Sequence, residues 1–456
     1  MYEQWRDARI DEPGSERSIP GSMWVRLTEE DVLPPVEVEA MPTHEPRGTL
    51  KITVDGMQMT PKQAFDALRG TRPGRNMLYP LIMAAPLYGP AKTECNLLFA
   101  AYARIHAEPA STANEETLNR NWRLVQYLYD QIIPEGVLKP HTIAECASAW
   151  AKTKAEIFLH KANDLQQGRH RDIKAAGTWW FSRKELNVKT NETIGRKMPY
   201  VIKPRSIVVM DVFDHVLNSP WARATADAMH EMFSGQWYSY SVGSGPHAIR
   251  VSVRLWFGSG LTGAQLGEIG RAIANGDNVI AVAGDDIIMR IGSKILEGDL
   301  SACDQSHTLP CIVACGNIDV RMGTPREVVD HFTQTCIQPY VASYQRIVIR
   351  GNPGPQLPTG SARTTVRNTQ AVMGLCLAIS VRMDENPQDV ANDLGFKLKV
   401  QIHEHVEYAT FLKGLFLPDS RGALSWFNLP SMVVKIGKLQ TPPQKLGGVA
   451  KASRAM

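Results

Sequence analysis

Val279-Ile280-Ala281-Val282-Ala283-Gly284-Asp285-Asp286-Ile287-Ile288-Met289 is the stretch on which the reading of this chain turns. An apolar run enters Gly-Asp-Asp and a second leaves it. The pattern predicts a hairpin of buried strands, with Gly284 supplying the turn and the carboxylates at its tip. Asp299-Leu300-Ser301-Ala302-Cys303-Asp304 follows after a short connection and adds a second acidic cluster on what reads as the adjacent strand. Neighbouring carboxylates raise each other's proton affinity, and divalent cations relieve that repulsion. Two-metal phosphoryl transfer is the chemistry that most often needs such an arrangement. Gly-Asp-Asp alone is also the composition of an ordinary surface turn, so the rest of the chain has to decide.

The chain has 456 residues, 43% of them hydrophobic and 21% charged, which is ordinary for a globular protein of more than one lobe. Net charge is only +4, but it is unevenly spread. Between Trp150 and Arg205, thirteen Lys and Arg face five acids, a local excess of +8. Such a lobe suits a polyanion, either nucleic acid or a nucleoside triphosphate, and equally a solvated helical face. Seven scattered cysteines without a CxxC pair point to a reducing compartment. Cys311 and Cys315, four apart in an apolar stretch, read as one buried helix face. The N-terminus lacks the apolar core of a signal peptide. The apolar run Gln370 to Val381 is too short to span a bilayer, so no membrane segment is expected.

Residues 1–75 are rich in Pro, Glu and Arg and read as an extended arm with one strand at Leu50 to Val54. Helical spacing follows from Asn76 to Gln167, clearest at Asn96–Tyr102 and Trp122–Ile133. Val208 to Phe233 reads as helix-rich. Thr262 and Gln265 form a capping-box pattern before a helix that Gly276 stops. Gly351 to Gly360 is a Gly/Pro loop opening a long helix from Ser361 to Val381. Asn386-Pro387 starts a short helix ending at Gly395, and Phe396 to Val400 alternates as a strand.

Taken together, these segments resemble the motifs of viral RNA-directed RNA polymerases in permuted order. Gly284-Asp285-Asp286 resembles motif C and Asp299-x4-Asp304 resembles motif A. Thr359-Gly360-x3-Thr364-x3-Asn368-Thr369 resembles motif B. Lys203-Pro204-Arg205-Ser206 fits motif F, and Leu394–Lys399 with Phe411–Gly414 resembles motifs D and E. Most such polymerases run A, B, C. The order here, with C first, is similar to that of permutotetravirus and birnavirus polymerases. Birnaviruses depart from Gly-Asp-Asp, so the permutotetravirus type is the closer match. The resemblance spans about Arg196 to Gly414, and Thr359 stands where many members carry Ser. Asp211 and Asp214 are rivals for motif A, but their spacing is wrong, and a place on a palm helix is expected for them.

The resemblance implies an α+β right-hand fold with an antiparallel palm sheet. The expected layout is an N-terminal arm (1–75), a mostly helical fingers region ending in motif F (76–205), a palm (206–415) and a short thumb or tail (416–456). Within the palm, motif C would occupy 279–289, A 297–306, B 351–381, D 387–402 and E 408–416. Asp285, Asp286 and Asp299 would hold two Mg²⁺ or Mn²⁺ ions. Lys203 and Arg205 would meet the triphosphate, with Thr359, Gly360 and Thr364 supporting the nucleotide. Asp304 and Asn368 would read the ribose 2′-hydroxyl. Lys399, ahead of Lys397, would protonate the leaving pyrophosphate. Phe411, Lys413, Arg196 and Lys197 would hold primer or RNA. The implied partners are template RNA, product RNA and nucleoside triphosphates, with further viral proteins unspecified. The implied setting is the host-cell cytoplasm, with the virion as a second location. Two other readings stay open: another metal-dependent nucleotidyltransferase (a terminal transferase or reverse transcriptase), and a non-catalytic RNA-binding palm.

Overall fold

The computed structural model describes residues 44–68, 75–78, 87–108, 111–150, 152–168, 184–190 and 204–429. Strands Val279–Ala283 and Asp286–Ile291 pair antiparallel, with Ala283 opposite Asp286. Only Gly284 and Asp285 lie between them. Gly284 has φ +65° and Asp285 stays out of the left-handed region. That combination is a type II′ turn, which places Gly at its first central position. Strand Lys294–Leu300 continues the meander and sets Asp299 directly opposite Asp286. On its other edge, Leu398–His403 sets Lys399 opposite Asp299. Cross-strand partners share a face of the sheet, so Asp286, Asp299 and Lys399 form one row.

Six strands make this sheet, in the order Leu398–His403, Lys294–Leu300, Asp286–Ile291, Val279–Ala283, Ile249–Phe257, Ser234–Val242. One pairing is parallel, Ile249–Phe257 with Val279–Ala283. The helix Gly263–Ala274 makes its crossover, opened by the Thr262/Gln265 capping box and followed by Gly276 at φ +95°. All five residues of Val279–Ala283 are buried, because both faces of the sheet are covered. One face meets the helices Thr364–Val381, Glu115–Ile132 and Leu309–Met322. The other meets Gly263–Ala274 and a three-stranded sheet of Thr410–Phe411, Gly414–Pro418 and Leu424–Asn428. Cys311 and Cys315 are buried on the Leu309–Met322 helix.

A second six-stranded sheet runs Met57–Met59, Thr49–Val54, Ile347–Asn352, Tyr340–Tyr344, Glu185–Val188, Ser206–Val209. Of the arm expected over residues 1–75, residues 1–43 and 69–74 lie outside the described residues; the expected strand at Leu50 to Val54 is present as Thr49–Val54, and the stretch from it to Leu68 is folded and not extended. Thr49–Val54 and Met57–Met59 form a hairpin, and the helix Pro61–Leu68 covers it. The turn is Asp55-Gly56 with φ +50° and +81°, a type I′ turn. Val208 likewise belongs to a strand, and the helix starts only at Val212. Ser206–Val209 is held by Glu185–Val188, a segment whose basic surroundings mask its strand pattern. The last strand of the acid-bearing sheet starts at Leu398, two residues after the alternation begins. Leu424–Asn428 completes the small sheet beside the hairpin of Thr410–Phe411 and Gly414–Pro418. Residues 430–456, most of the expected thumb or tail, lie outside the described residues.

Candidate active site

The two sheets meet at a polar cavity of about 420 Å³. Asp285 reaches it from the hairpin tip and Asp299 from the neighbouring strand. Asp304 comes from the short helix Cys303–Ser306. Ala302 takes the left-handed conformation (φ +53°), reversing the chain at the strand end so that Asp304 returns to the cavity that Asp299 faces. A non-glycine residue there stores local strain, and such residues concentrate at functional sites. Arg205, Arg104, Thr359, Asn368 and Lys399 complete the relevant lining.

The acids feel one another. Burial, then Asp285 and Asp299, push the Asp286 carboxyl up to about 6, with Lys413 opposing. Burial also raises Asp304, against the Asn368 hydrogen bond and the more distant pull of Arg205 and Lys189. Lys399 Nζ lies 3.1 Å from Asp299 Oδ2 in an exposed ion pair. Among the described residues, no three His, Cys, Asp or Glu side chains are grouped to cage a cation by themselves. The crowded carboxylates still fit Mg²⁺, a hard ion that takes few protein oxygens and completes its shell with water and phosphate.

The 357–369 segment is fastened to both sheets. The Thr359 hydroxyl accepts from the Val208 N–H at 3.0 Å. Gly360 lies so close that an added Cβ would stand 1.8 Å from the Val208 carbonyl oxygen, which only glycine avoids. The Leu357 N–H donates to the Asp304 carbonyl at 2.8 Å. Arg47 bridges the Gln305 and Pro355 carbonyls at 3.2 and 2.9 Å. The Gly284 N–H donates to Thr369 Oγ1 at 3.1 Å, tying the acidic turn to the Thr364–Val381 helix. Behind that helix, Arg363 and Arg367 converge on Asp319, with Arg367 Nη2 at 2.9 Å. Gln370 Nε2 donates to the same carboxylate at 2.7 Å, and Arg363 Nε donates to Asn218 at 2.8 Å.

The structure thus brings Asp285, Asp299, Asp304, Arg205, Thr359, Asn368 and Lys399 together, with Asp286 beside them. Asn368 Nδ2 donates to Asp304 Oδ1 at 2.6 Å. The Thr364 hydroxyl bonds to the Pro358 and Ser361 carbonyls and closes the loop instead of lining the cavity. Phe411 corrects the expectation of an RNA-gripping ring: it is 1% exposed, packed under the sheet against Gly258. Lys413 is exposed. Lys397 is exposed and does not line the cavity. Asp211 caps the Val212–Met232 helix and Asp214 is buried within it, so neither lines the cavity. Lys203, Arg196 and Lys197 lie outside the described residues. Sequence reasoning misses Arg104, which sits in the π-helical segment Ala101–Ile105. That geometry is common at functional sites, but it leaves no mark on the residue pattern.

No family model matches the chain, and no curated protein matches it in sequence. Among solved structures it is similar to the birnavirus VP1–VP3 complex, at 13% identity and a TM-score of 0.46. That match covers 69% of this chain and 47% of the other. It is also similar to the RNA polymerase VP1 from Infectious Pancreatic Necrosis Virus, at 13% identity and a TM-score of 0.43, with the same coverages. The chain spans about half the length of both. No described helix is long and apolar enough to cross a membrane.

Proposed function

We propose that this protein is an RNA-directed RNA polymerase of the permuted type, acting in the replication and transcription of a viral RNA genome. One observation carries the reading. Carboxylates on adjacent strands, a bonded Asp–Asn pair and two arginines line a single cavity.

Asp285 and Asp299 would hold two Mg²⁺ or Mn²⁺ ions, with Asp286 beside them. When bound, such ions supply Lewis-acid stabilisation of the attacking and leaving oxygens. Arg205 and Arg104, on the wall contributed by the other sheet and its neighbouring helix, orient the triphosphate and offset its charge. Lys399, whose ammonium stands 3.1 Å from Asp299 Oδ2, would carry a proton at Nζ for the departing pyrophosphate. Asp304 and Asn368 read the ribose 2′-hydroxyl, the group that separates RNA from DNA. Lys413, exposed near Asp286, is placed for a strand phosphate. In a right-hand fold, the fingers would map onto the second sheet with its helices and the palm onto the acid-bearing sheet. The small thumb would begin at the 410–428 sheet.

Primer extension on an RNA template tests the reading. Template-dependent incorporation of NTPs in Mg²⁺ or Mn²⁺, lost in Asp285→Asn, is expected. Extension without a template, or with dNTPs preferred, would favour a terminal transferase or a reverse transcriptase. RNA binding without extension would leave a non-catalytic palm.

A further inference from the structure

Asn368 is held from behind as well as from the cavity side. Its Nδ2 donates to Asp304, while Oδ1 receives His307 Nε2 at 3.0 Å and the Cys303 thiol at 3.4 Å. His307 is 1% exposed, with its ring edge-on to Phe396 at 5.9 Å. Burial lowers its pKa to about 4, so the imidazole is neutral at pH 7 and carries a single N–H. An amide oxygen can only accept, so that proton belongs on Nε2. Nδ1 is then an acceptor, and it faces the Cys311 sulfur at 3.5 Å. Burial raises the Cys311 thiol, keeping it protonated as a donor.

The two ends of an Asn amide are nearly the same in shape and opposite in hydrogen bonding. Turned over, Asn368 would point its oxygen at a carboxylate. Apart from Asp304 itself, the groups that set its direction are His307 and a weakly donating thiol.

We propose that His307 is a positioning residue for ribose selection, its Nε2–H fixing the Asn368 amide so that Nδ2 faces Asp304 and the cavity. This rests on the polymerase reading and adds a residue to it that none of the motifs contains. The pair reads a 2′-hydroxyl only if its donor and acceptor are set before the nucleotide arrives, because a misdirected buried group rejects the ribose as readily as the deoxyribose.

The experiment uses the full chain on an RNA primer–template and compares kcat/KM for NTP and dNTP. His307→Phe keeps a ring against Phe396 and removes the N–H. It should lower the NTP-to-dNTP ratio about ten-fold, through a higher KM for NTP, with dNTP values unchanged. His307→Gln restores a donor and should keep the ratio. In an Asn368→Ala background, His307→Phe should add nothing. An unaltered ratio, equal losses on both nucleotides, or a full additional loss in the Asn368→Ala background would overturn the proposal. His307→Leu is a second deletion with the same expectation. If neither deletion folds, His307 serves the core and not the amide, and the proposal falls. Failure of the wild-type chain to extend with either nucleotide would instead overturn the polymerase reading. Extension with no shift in ratio would overturn the role of His307 alone.

Discussion

The two six-stranded sheets are built in opposite ways. In the acid-bearing sheet, consecutive strands from Ser234 to Leu300 lie side by side, and only Leu398–His403 comes from afar. In the second sheet, Thr49–Val54 pairs with Ile347–Asn352, and Tyr340–Tyr344 pairs with Glu185–Val188. The first presents carboxylates and the second presents Arg205 and anchors the loop at Thr359 and Gly360. A site with acids on one wall and bases on the other therefore depends on one locally specified sheet and one assembled at long range.

The largest effect should come from the local sheet. Asp285→Asn or Asp299→Asn should lower turnover on the order of a thousand-fold while leaving the melting temperature near wild type, because both side chains are exposed. Primer extension beside a thermal melt checks this. A collapse of stability would mean that the acids hold the fold, and the contrast between the sheets would fail.

Next comes the buried support of the Thr364–Val381 helix. Asp319→Ala leaves two buried guanidiniums, Arg363 and Arg367, without their carboxylate. It should cost about 3–5 kcal/mol in urea unfolding. A cost under about 1 kcal/mol, typical of exposed pairs, would show that the network is not what holds the helix.

A smaller effect is expected on the basic wall. Arg104→Ala and Arg205→Ala should each raise KM for NTP about ten-fold or more, with RNA affinity little changed. Unchanged turnover would remove either residue from the site.

The smallest effect is electrostatic. The carboxyl of Asp286 lies at about 6 in the folded chain, above its ordinary 3.8. The folded state then binds the proton more tightly than the unfolded state. That contribution is fully present below about pH 4 and is lost as pH rises through about 6. In EDTA, stability should fall by roughly 1–2 kcal/mol across this window. Asp286→Asn should flatten the slope and raise stability above about pH 7, as read by urea unfolding at several pH values.

Legibility divides along the same line. The acidic hairpin, its Gly284 turn, the Thr262 capping box and the Thr364–Val381 helix are readable because each is set by residues within a few positions. Asp285, Asp299, Asp304 and Asn368 are named by the resemblance of their short motifs, and the structure brings all four to one cavity. The Thr49–Val54 strand is half legible, and its Asp55-Gly56 turn is the signal that announces the hairpin. The Ser206–Val209 strand is not legible, since four residues beside a helix carry too little periodicity. Arg104 reaches the cavity from a segment about 190 residues before Asp299, and nothing local marks it. Phe411 misleads because an aromatic beside a turn looks the same in sequence whether it faces RNA or the core. Its packing against Gly258, just past the Ile249–Phe257 strand, settles it.

The pairing of Thr49 with Asn352 also sets a timetable for biosynthesis. About 300 residues separate the partners, which at 5–20 residues per second is roughly 15–60 s of translation. Through that interval the edge of the nascent Thr49–Val54 strand that meets Ile347–Asn352 stays unpaired, although the Pro61–Leu68 helix already follows to cover the hairpin. The acid-bearing strands from Ser234 to Leu300 emerge and pair while it waits. Slow elongation or scarce chaperone would therefore be felt at the open edge of Thr49–Val54.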